Sequence, residues 1–405
     1  MLILKIAWRN IFRQRRRTIL TILTMFGGFT LASISLSLAD GTYNRIINAF
    51  TRNRLGHIQI HARGYTERPS LYRAIHDYQA IGRRLTEIRG VEAWSPRVLA
   101  AGLASVGDKA AGANIIGIDP TLEIRATRFD RKIVAGTVLA AQPSHQAVLG
   151  TGLARRLNAK LGDQVVLVSQ AADGSIANDE YSIVGLLDSG DENSDLTSLY
   201  LHLADAQSLF VLDDEVHEIV IIATSLGVVP ALTRRIRQDL DDPNLSVEPW
   251  QEFAHSFYVA MEADKRGNWV LQLIIILIVA VGVLNTVLMT VLERTREYGM
   301  LRAMGTRPLQ VFRLVILEVG IMALMAVGAG SLAALAVNSF LSRHGIPMPT
   351  SFTYGGMEFT HYYCEVNLVS FVVPALTVWV AALFVSIFPA LRAAHIKPAK
   401  ALRTH

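Results

Sequence analysis

The sequence is short of the parts from which most enzymes and secreted scaffolds are built. It has one cysteine, Cys364, in 405 residues, so no disulfide can form within the chain. No G-x-x-x-x-G-K-[ST] run occurs, which excludes the loop that cradles nucleotide phosphates in P-loop proteins. No Ser/His/Asp or Cys/His set has a local arrangement that supports hydrolysis. Tandem repeats, heptad arrays and low-complexity linkers are absent as well. Charged residues are scarce at 18%, against 51% hydrophobic ones. That balance is too apolar for one soluble domain and too polar for a bundle lying wholly in lipid, so a membrane part and a water-facing part share the chain.

What is present are four apolar runs, each long enough to cross a hydrocarbon core that takes about 20 helical residues. They are Thr18–Ala39, Trp269–Leu292, Leu314–Leu341 and Leu368–Leu391. Three of them carry no charge. The third holds one acid, Glu318, and the fourth holds Pro374 and Pro389. The first run exceeds the 7–15 residues of a cleaved signal core, so it reads as a retained span.

Basic residues set the orientation. Segments 1–17, 293–313 and 392–405 together carry fifteen Lys and Arg against two acids, Glu293 and Glu297. The loop 342–367 has Arg343 alone. Both termini and the middle loop are therefore expected in the cytoplasm, and residues 42–268 outside. Because the bases flank membrane ends, the net charge of +5 calls for no nucleic acid. Residues 1–17 read as an amphipathic anchor helix, with Trp8 and Phe12 on its apolar side, lying along the inner leaflet.

Segment 42–268 alternates strand and helix signals. Strands are expected at 56–62, 98–106, 113–118 and 218–223, and helices at 77–88 and 229–240. Between them, about 122–212, the texture changes to short β runs parted by Gly162-Asp163, Asp173-Gly174 and Gly190-Asp191 turns, closed by a helix at 203–210. The fold class is thus membrane α-helical with four spans, plus a large α+β extracytoplasmic domain of two lobes, one of them an inserted β-rich subdomain. Stalks at either end of the outer domain run into spans one and two.

The densest motif lies between spans two and three, Glu293-Arg-Thr-Arg-Glu-Tyr-Gly-Met-Leu-Arg-Ala-Met-Gly-Thr306. Residues 293–304 have the pattern of a short amphipathic helix, ended by Gly305 and Pro308, with Tyr298, Leu301 and Met304 presented to a partner. Composition alone favours an ordinary positive-inside loop, since Arg is expected there anyway. Glu293, Arg294, Arg296, Glu297, Gly299, Leu301, Arg302, Ala303 and Gly305 together resemble the E-R-x-R-E-x-G-x-L-R-A-x-G signature of FtsX-like ABC permeases. Ala7-Trp-Arg-Asn-Ile-Phe-Arg13 with Arg16-Arg-Thr-Ile-Leu20 resembles that family's opening. Pro389-Ala-Leu-Arg-Ala-Ala394 with Pro398-Ala-Lys-Ala-Leu-Arg403 resembles its close. Val148-Leu-Gly-Thr-Gly-Leu-Ala154 and Leu161-Gly-Asp-Gln-Val165 resemble pieces of the MacB-type periplasmic core.

The resemblance implies a subunit of an ATP-driven complex in the bacterial inner membrane. The ATPase, with its ATP and Mg, is a separate partner docking on residues 293–304, and the permease pairs with a second copy or a paralogue. Work done by the ATPase reaches the outer domain through the helices, a mechanotransmission scheme. Four spans, a large outer domain and no ATPase of its own are closest to the LolC/LolE lipoprotein-releasing permeases, with a periplasmic adaptor or lipoprotein chaperone as a further partner. The alternatives are MacB-type efflux of a peptide or small amphiphile, and an FtsX-like relay that activates a cell-wall hydrolase.

Other polar residues carry bland readings beside sharp ones. His57 and His61 share a strand face but lack a third metal ligand. Asp188–Asp195 is acidic without EF-hand spacing and reads as a solvated turn. Glu318 is costly to bury; snorkelling, or pairing with Arg313, competes with a functional role. Asn285 and Thr286 could hydrogen-bond across a helix interface. No catalytic, cofactor or metal residue is assigned.

Overall fold

The computed structural model describes residues 2–13, 15–354 and 357–397. The expected closing run 398–403 lies outside them. Two compact units emerge, one of Met1–Tyr43, Glu262–Pro349 and His361–His405, the other of Asn44–Met261 with Thr350–Thr360.

The chain begins with α1 (Leu2–Arg13) and α2 (Arg15–Phe50). Trp8 and Phe12 are half-exposed and meet edge to face at 5.2 Å, while Ala7 and Ile11 are buried. One face of α1 therefore packs against protein and the other stays apolar and bare, as an interfacial helix requires. After α2 the helix widens into a π turn, Thr51–Leu55, and ends at Gly56, whose φ is +82°.

The second unit is built on one ten-stranded sheet. Its elements are β1 (Ile58–Ala62), α3 (Tyr78–Glu87), β2 (Val91–Val106), β3 (Lys109–Ile118), α4 (Pro120–Thr127) and β4 (Ile133–Gly136). There follow β5 (Gln146–Gly150), α5 (Thr151–Leu157), β6 (Gln164–Gln170), β7 (Ile176–Leu187), α6 (Glu192–Asp195) and β8 (Ser198–His202). The unit closes with α7 (Leu203–Phe210), β9 (Glu218–Ala223), α8 (Val229–Leu240), β10 (Leu245–Pro249) and α9 (Trp250–Phe253).

Strand order is β10-β1-β9-β2-β3-β8-β5-β7-β4, with β6 bonded to both β2 and β7. Strands β2, β3, β8, β5, β7 and β6 thus close a ring, which removes their free edges. The two expected lobes are two parts of this sheet. The β-rich stretch at 122–212 is not hung on linkers, because it closes its ring on β2 and β3, which precede it. Strand β2 is longer than its apolar run suggests. Its first half pairs with β9 (Arg97 opposite Glu218) and its second with β3 and β6 (Leu103 opposite both Gly112 and Val168).

The chain continues with α10 (His255–Glu293), α11 (Thr295–Ala303), α12 (Pro308–His344), a hairpin of β11 (Ile346–Tyr354) and β12 (Met357–Tyr362), and α13 (Val369–Ala394). The hairpin replaces the plain loop expected at 342–367. Helices α2, α10, α12 and α13 are each long and apolar enough to span a membrane. Their packing inverts the soluble rule. Small residues such as Ala323, Ala326, Gly330 and Ala334 of α12 and Ala382 and Ala390 of α13 are buried, while Leu332 and Phe384 are about 73% exposed. Lipid gives no hydrophobic reward for burying large residues, so close backbone approach decides the interfaces. A Cβ on Gly330 would sit 2.6 Å from Phe29 Cδ1. Thr286 hydrogen-bonds Gly282 of its own helix at 2.8 Å rather than crossing an interface, while Asn285 is exposed on α10.

Candidate functional site: the junction of α10, α11 and α12

Helix α10 stops at Glu293 because Arg294 leaves helical geometry (φ −88°, ψ 10°) before α11 begins. The Thr295 hydroxyl donates to the Leu292 carbonyl at 2.6 Å, satisfying a terminal acceptor. At the other end the chain reverses at Gly305, φ +95°, a left-handed conformation that glycine adopts without steric cost. Thr306 N–H donates to Leu301 O and the Arg302 guanidinium to Thr306 O, at 3.1 and 2.9 Å. Pro308 then opens α12, where its missing N–H costs nothing.

Arg294 is the centre of the junction. Its Nη1 donates to both oxygens of Glu318, at 3.0 and 3.2 Å, and its Nε to Glu297 at 2.9 Å. Asn10 of α1 donates to Glu318 Oε1 at 2.7 Å. The guanidinium also lies 5.2 Å from the ring centre of Tyr298. Arg13 pairs with Glu297 at 3.4 Å, and Arg17 forms an ion pair with Glu293. Arg294 therefore fastens α11 to α12, and Asn10 ties α1 to the same carboxylate. Burial opposes its charge, but Tyr298, Glu318 and Glu297 outweigh that and hold it protonated beyond the ordinary arginine range.

Two sequence expectations change here. Tyr298 is 1% exposed, not offered to a partner. It joins the hydrophobic core of the helical unit with Val291, Val311 and Val315, and Leu301 packs partly against the same core. Periodicity reveals an apolar face but not what covers it. Glu318 pairs with Arg294 rather than Arg313, because five residues along a helix turn a side chain about 140° away. Sequence reading missed Asn10 as a member of the junction, although the Ala7–Arg13 motif contains it.

The face left bare carries Arg296, Met300, Ala303 and Met304, continued by Leu309 at the start of α12; Met304 is 75% exposed. Flexible thioethers beside a cation suit a protein partner. Glu293 is exposed and Arg302 half-buried, while Gly299 is buried.

The weaker candidates resolve into structural roles. His57 Nδ1 accepts from Ala223 N–H at 3.0 Å, and His61 contacts His217 O and Gln59 at 3.0 Å each. Asp191 caps α6 through Asn193 and Ser194 N–H. Among the described residues no group of three His, Cys, Asp or Glu is placed to hold a metal.

Residues 18–239 match the MacB-like periplasmic core domain, and residues 269–398 the FtsX-like permease C-terminal domain. The lipoprotein-releasing system transmembrane protein LolC of Neisseria meningitidis serogroup B is 24% identical, over 77% of this chain and 77% of its own. LolE of Haemophilus influenzae is 21% identical over 99% of each chain. The crystal structure of the periplasmic region of MacB from Actinobacillus actinomycetemcomitans aligns with 52% of this chain and 95% of its own, at 16% identity and a TM-score of 0.38. With a MacB-like core across more than half its length and an FtsX-like module after it, the chain belongs to the FtsX-like, MacB-type family of ABC transporter permeases.

Proposed function

We infer that this chain is the membrane subunit of an ATP-driven complex that releases lipoproteins from the outer face of the inner membrane. A separate ATPase, carrying ATP and Mg, docks on the Arg296–Met300–Met304 face from the cytoplasm. Its closure moves α11, and the motion passes through the four long helices, α2 and α10 leading directly into the outer domain. The observation that supports this most is the Arg294–Glu318–Asn10 junction. It ties the motif-bearing helix to α1 and α12 by charge-assisted bonds, so a push on α11 is passed on rather than absorbed. Glu293, Arg294, Glu297, Tyr298, Gly299, Leu301, Arg302 and Gly305 hold the helix in place; Arg296 and Met304 meet the partner.

Asn285, polar and exposed on an otherwise apolar face of α10, supports pairing with a second permease, since an amide facing lipid alone is costly. Lipoprotein as cargo is supported by the LolC and LolE relatives.

The test is a complex purified with its ATPase. Met300→Ser/Met304→Ser should lose ATPase co-purification, and depleting the chain should leave lipoproteins in the inner membrane. Retained ATPase would overturn the docking face. Normal lipoprotein release on depletion would overturn the cargo.

A further inference from the structure

We propose that the turn Thr51–Leu55, held by Arg97, is the joint through which movement of α2 enters the outer domain, with Arg97 as its positioning residue; this rests on the transmission reading above. The end of a helix exposes carbonyls and the negative end of its dipole, and a cation there is favoured. Arg97 of β2 supplies it, donating from Nη2 to the Arg54 carbonyl at 2.9 Å. The same guanidinium donates to Glu123 of α4 at 3.2 and 2.5 Å and to Glu218 of β9 at 3.0 Å. One buried side chain thus joins the turn to β2, β9 and α4. Glu123 is held further by the Thr127 hydroxyl at 2.7 Å.

The turn's own side chains reach outward to two more places. Arg52 pairs with Glu92 at the start of β2, and Arg54 with Asp191, the cap of α6. Arg54 therefore reaches the α6 cap through its side chain and β2 through its carbonyl. Directly after the turn, a Cβ on Gly56 would lie 2.4 Å from Val220 Cγ1, so the chain is pressed against β9 before entering β1. The second stalk meets the same spot. Phe257 of α10 stacks on Phe50 at 3.8 Å, and β10, which precedes α10, is paired with β1.

Stability alone does not call for this arrangement. A buried ion cluster contributes little over apolar packing of the same volume, and π turns tend to occur where a helix has a task beyond packing. Arg54, Leu55, Arg97, Glu123 and Glu218 also border a cavity of about 630 Å³. The turn is therefore held by a few directional bonds with open space beside it, a geometry that lets displacement pass along the bonds rather than spread into a packed wall.

The test uses the whole complex with its ATPase and follows amide exchange at 91–106 and 120–132 with and without a non-hydrolysable ATP analogue. Arg52→Ala/Arg54→Ala removes partly exposed side chains and leaves Arg97 in place. ATP turnover should persist, while the nucleotide-dependent change in exchange falls by about threefold or more; Arg52→Lys/Arg54→Lys should restore most of it. If the alanine variant raises exchange equally in both nucleotide states and leaves their difference intact, the residues are merely structural and the joint is overturned. If the unaltered chain shows no nucleotide-dependent change in these segments, transmission itself fails, and the joint with it.

Discussion

Two buried arginines, Arg294 and Arg97, do the same thing in different surroundings. Each sits where a long helix ends, each is bonded to carboxylates from other elements, and each gathers three or four pieces of chain. Around Arg294 the partners are helices, and the one carboxylate it shares with α12 is topped up by Asn10. Around Arg97 the partners are strands and a short helix, and two carboxylates face one guanidinium. Only Arg97 answers a helix-end carbonyl, that of Arg54, while Arg294 draws its bonds from carboxylates alone. The difference predicts unequal responses to loss of the cation or its partner.

The largest effect should come from Arg97→Ala, which leaves Glu123 and Glu218 buried without their cation. Breaking such a set costs about 3–5 kcal/mol or more, read as lost exchange protection across 91–132. Glu123 is well below the usual carboxylate range, because Arg97 and its hydrogen bonds outweigh the opposing effect of burial, so acid should mimic part of this loss. Next comes Glu318→Ala, which leaves Arg294 with the half-buried Glu297 and should cost about 3 kcal/mol, read as a lower melting temperature. Arg294→Met/Glu318→Met should recover most of that stability yet leave ATPase stimulation impaired. Recovery of both would reduce the junction to packing.

The outer unit should also respond to pH through His57. Burial first, and Arg52 second, hold its imidazole down from 6.5 to about 4. Between those values the unfolded chain binds the proton and the folded one does not, so stability is full above pH 6.5 and falls as pH drops towards 4. The loss should approach roughly 3 kcal/mol, measurable as exchange protection of β1 and β9 against pH; a flat profile would contradict it. The smallest change in stability belongs to Met300→Ser/Met304→Ser, within about 0.5 kcal/mol, although it should abolish ATPase capture. That contrast separates a surface for a partner from a fastening within the chain.

Much of this was legible in the sequence where a signal is local. Helix α7, helix α8 and strand β9 begin and end where periodicity puts them, and the four spans appear as longer helices that cover the apolar runs to within one residue. What required the fold was long-range. Pro96, Arg97 and Ser95 interrupt an apolar run, so the first half of β2 was unreadable until β9 was seen to pair with it. Pro347 and Pro349 hid the hairpin strand β11. The partner of Glu318 lies 24 residues away, at the break between α10 and α11, and no spacing rule reaches it. The ring closed by β6 joins residues 61 to 65 apart, so the strands that the inserted β-rich lobe shares with β2 and β3 could not be read from local pattern.

The central claim is that the face beside Gly305 receives an ATPase. Cys364, the chain's single cysteine, is 4% exposed, so Met304→Cys introduces one accessible thiol at that face. Cross-linking it in native membranes with a thiol-to-amine reagent should capture one ATPase subunit, and the yield should change when nucleotide is added. A variant that folds and reaches the membrane, yet captures no nucleotide-hydrolysing protein, would contradict the account.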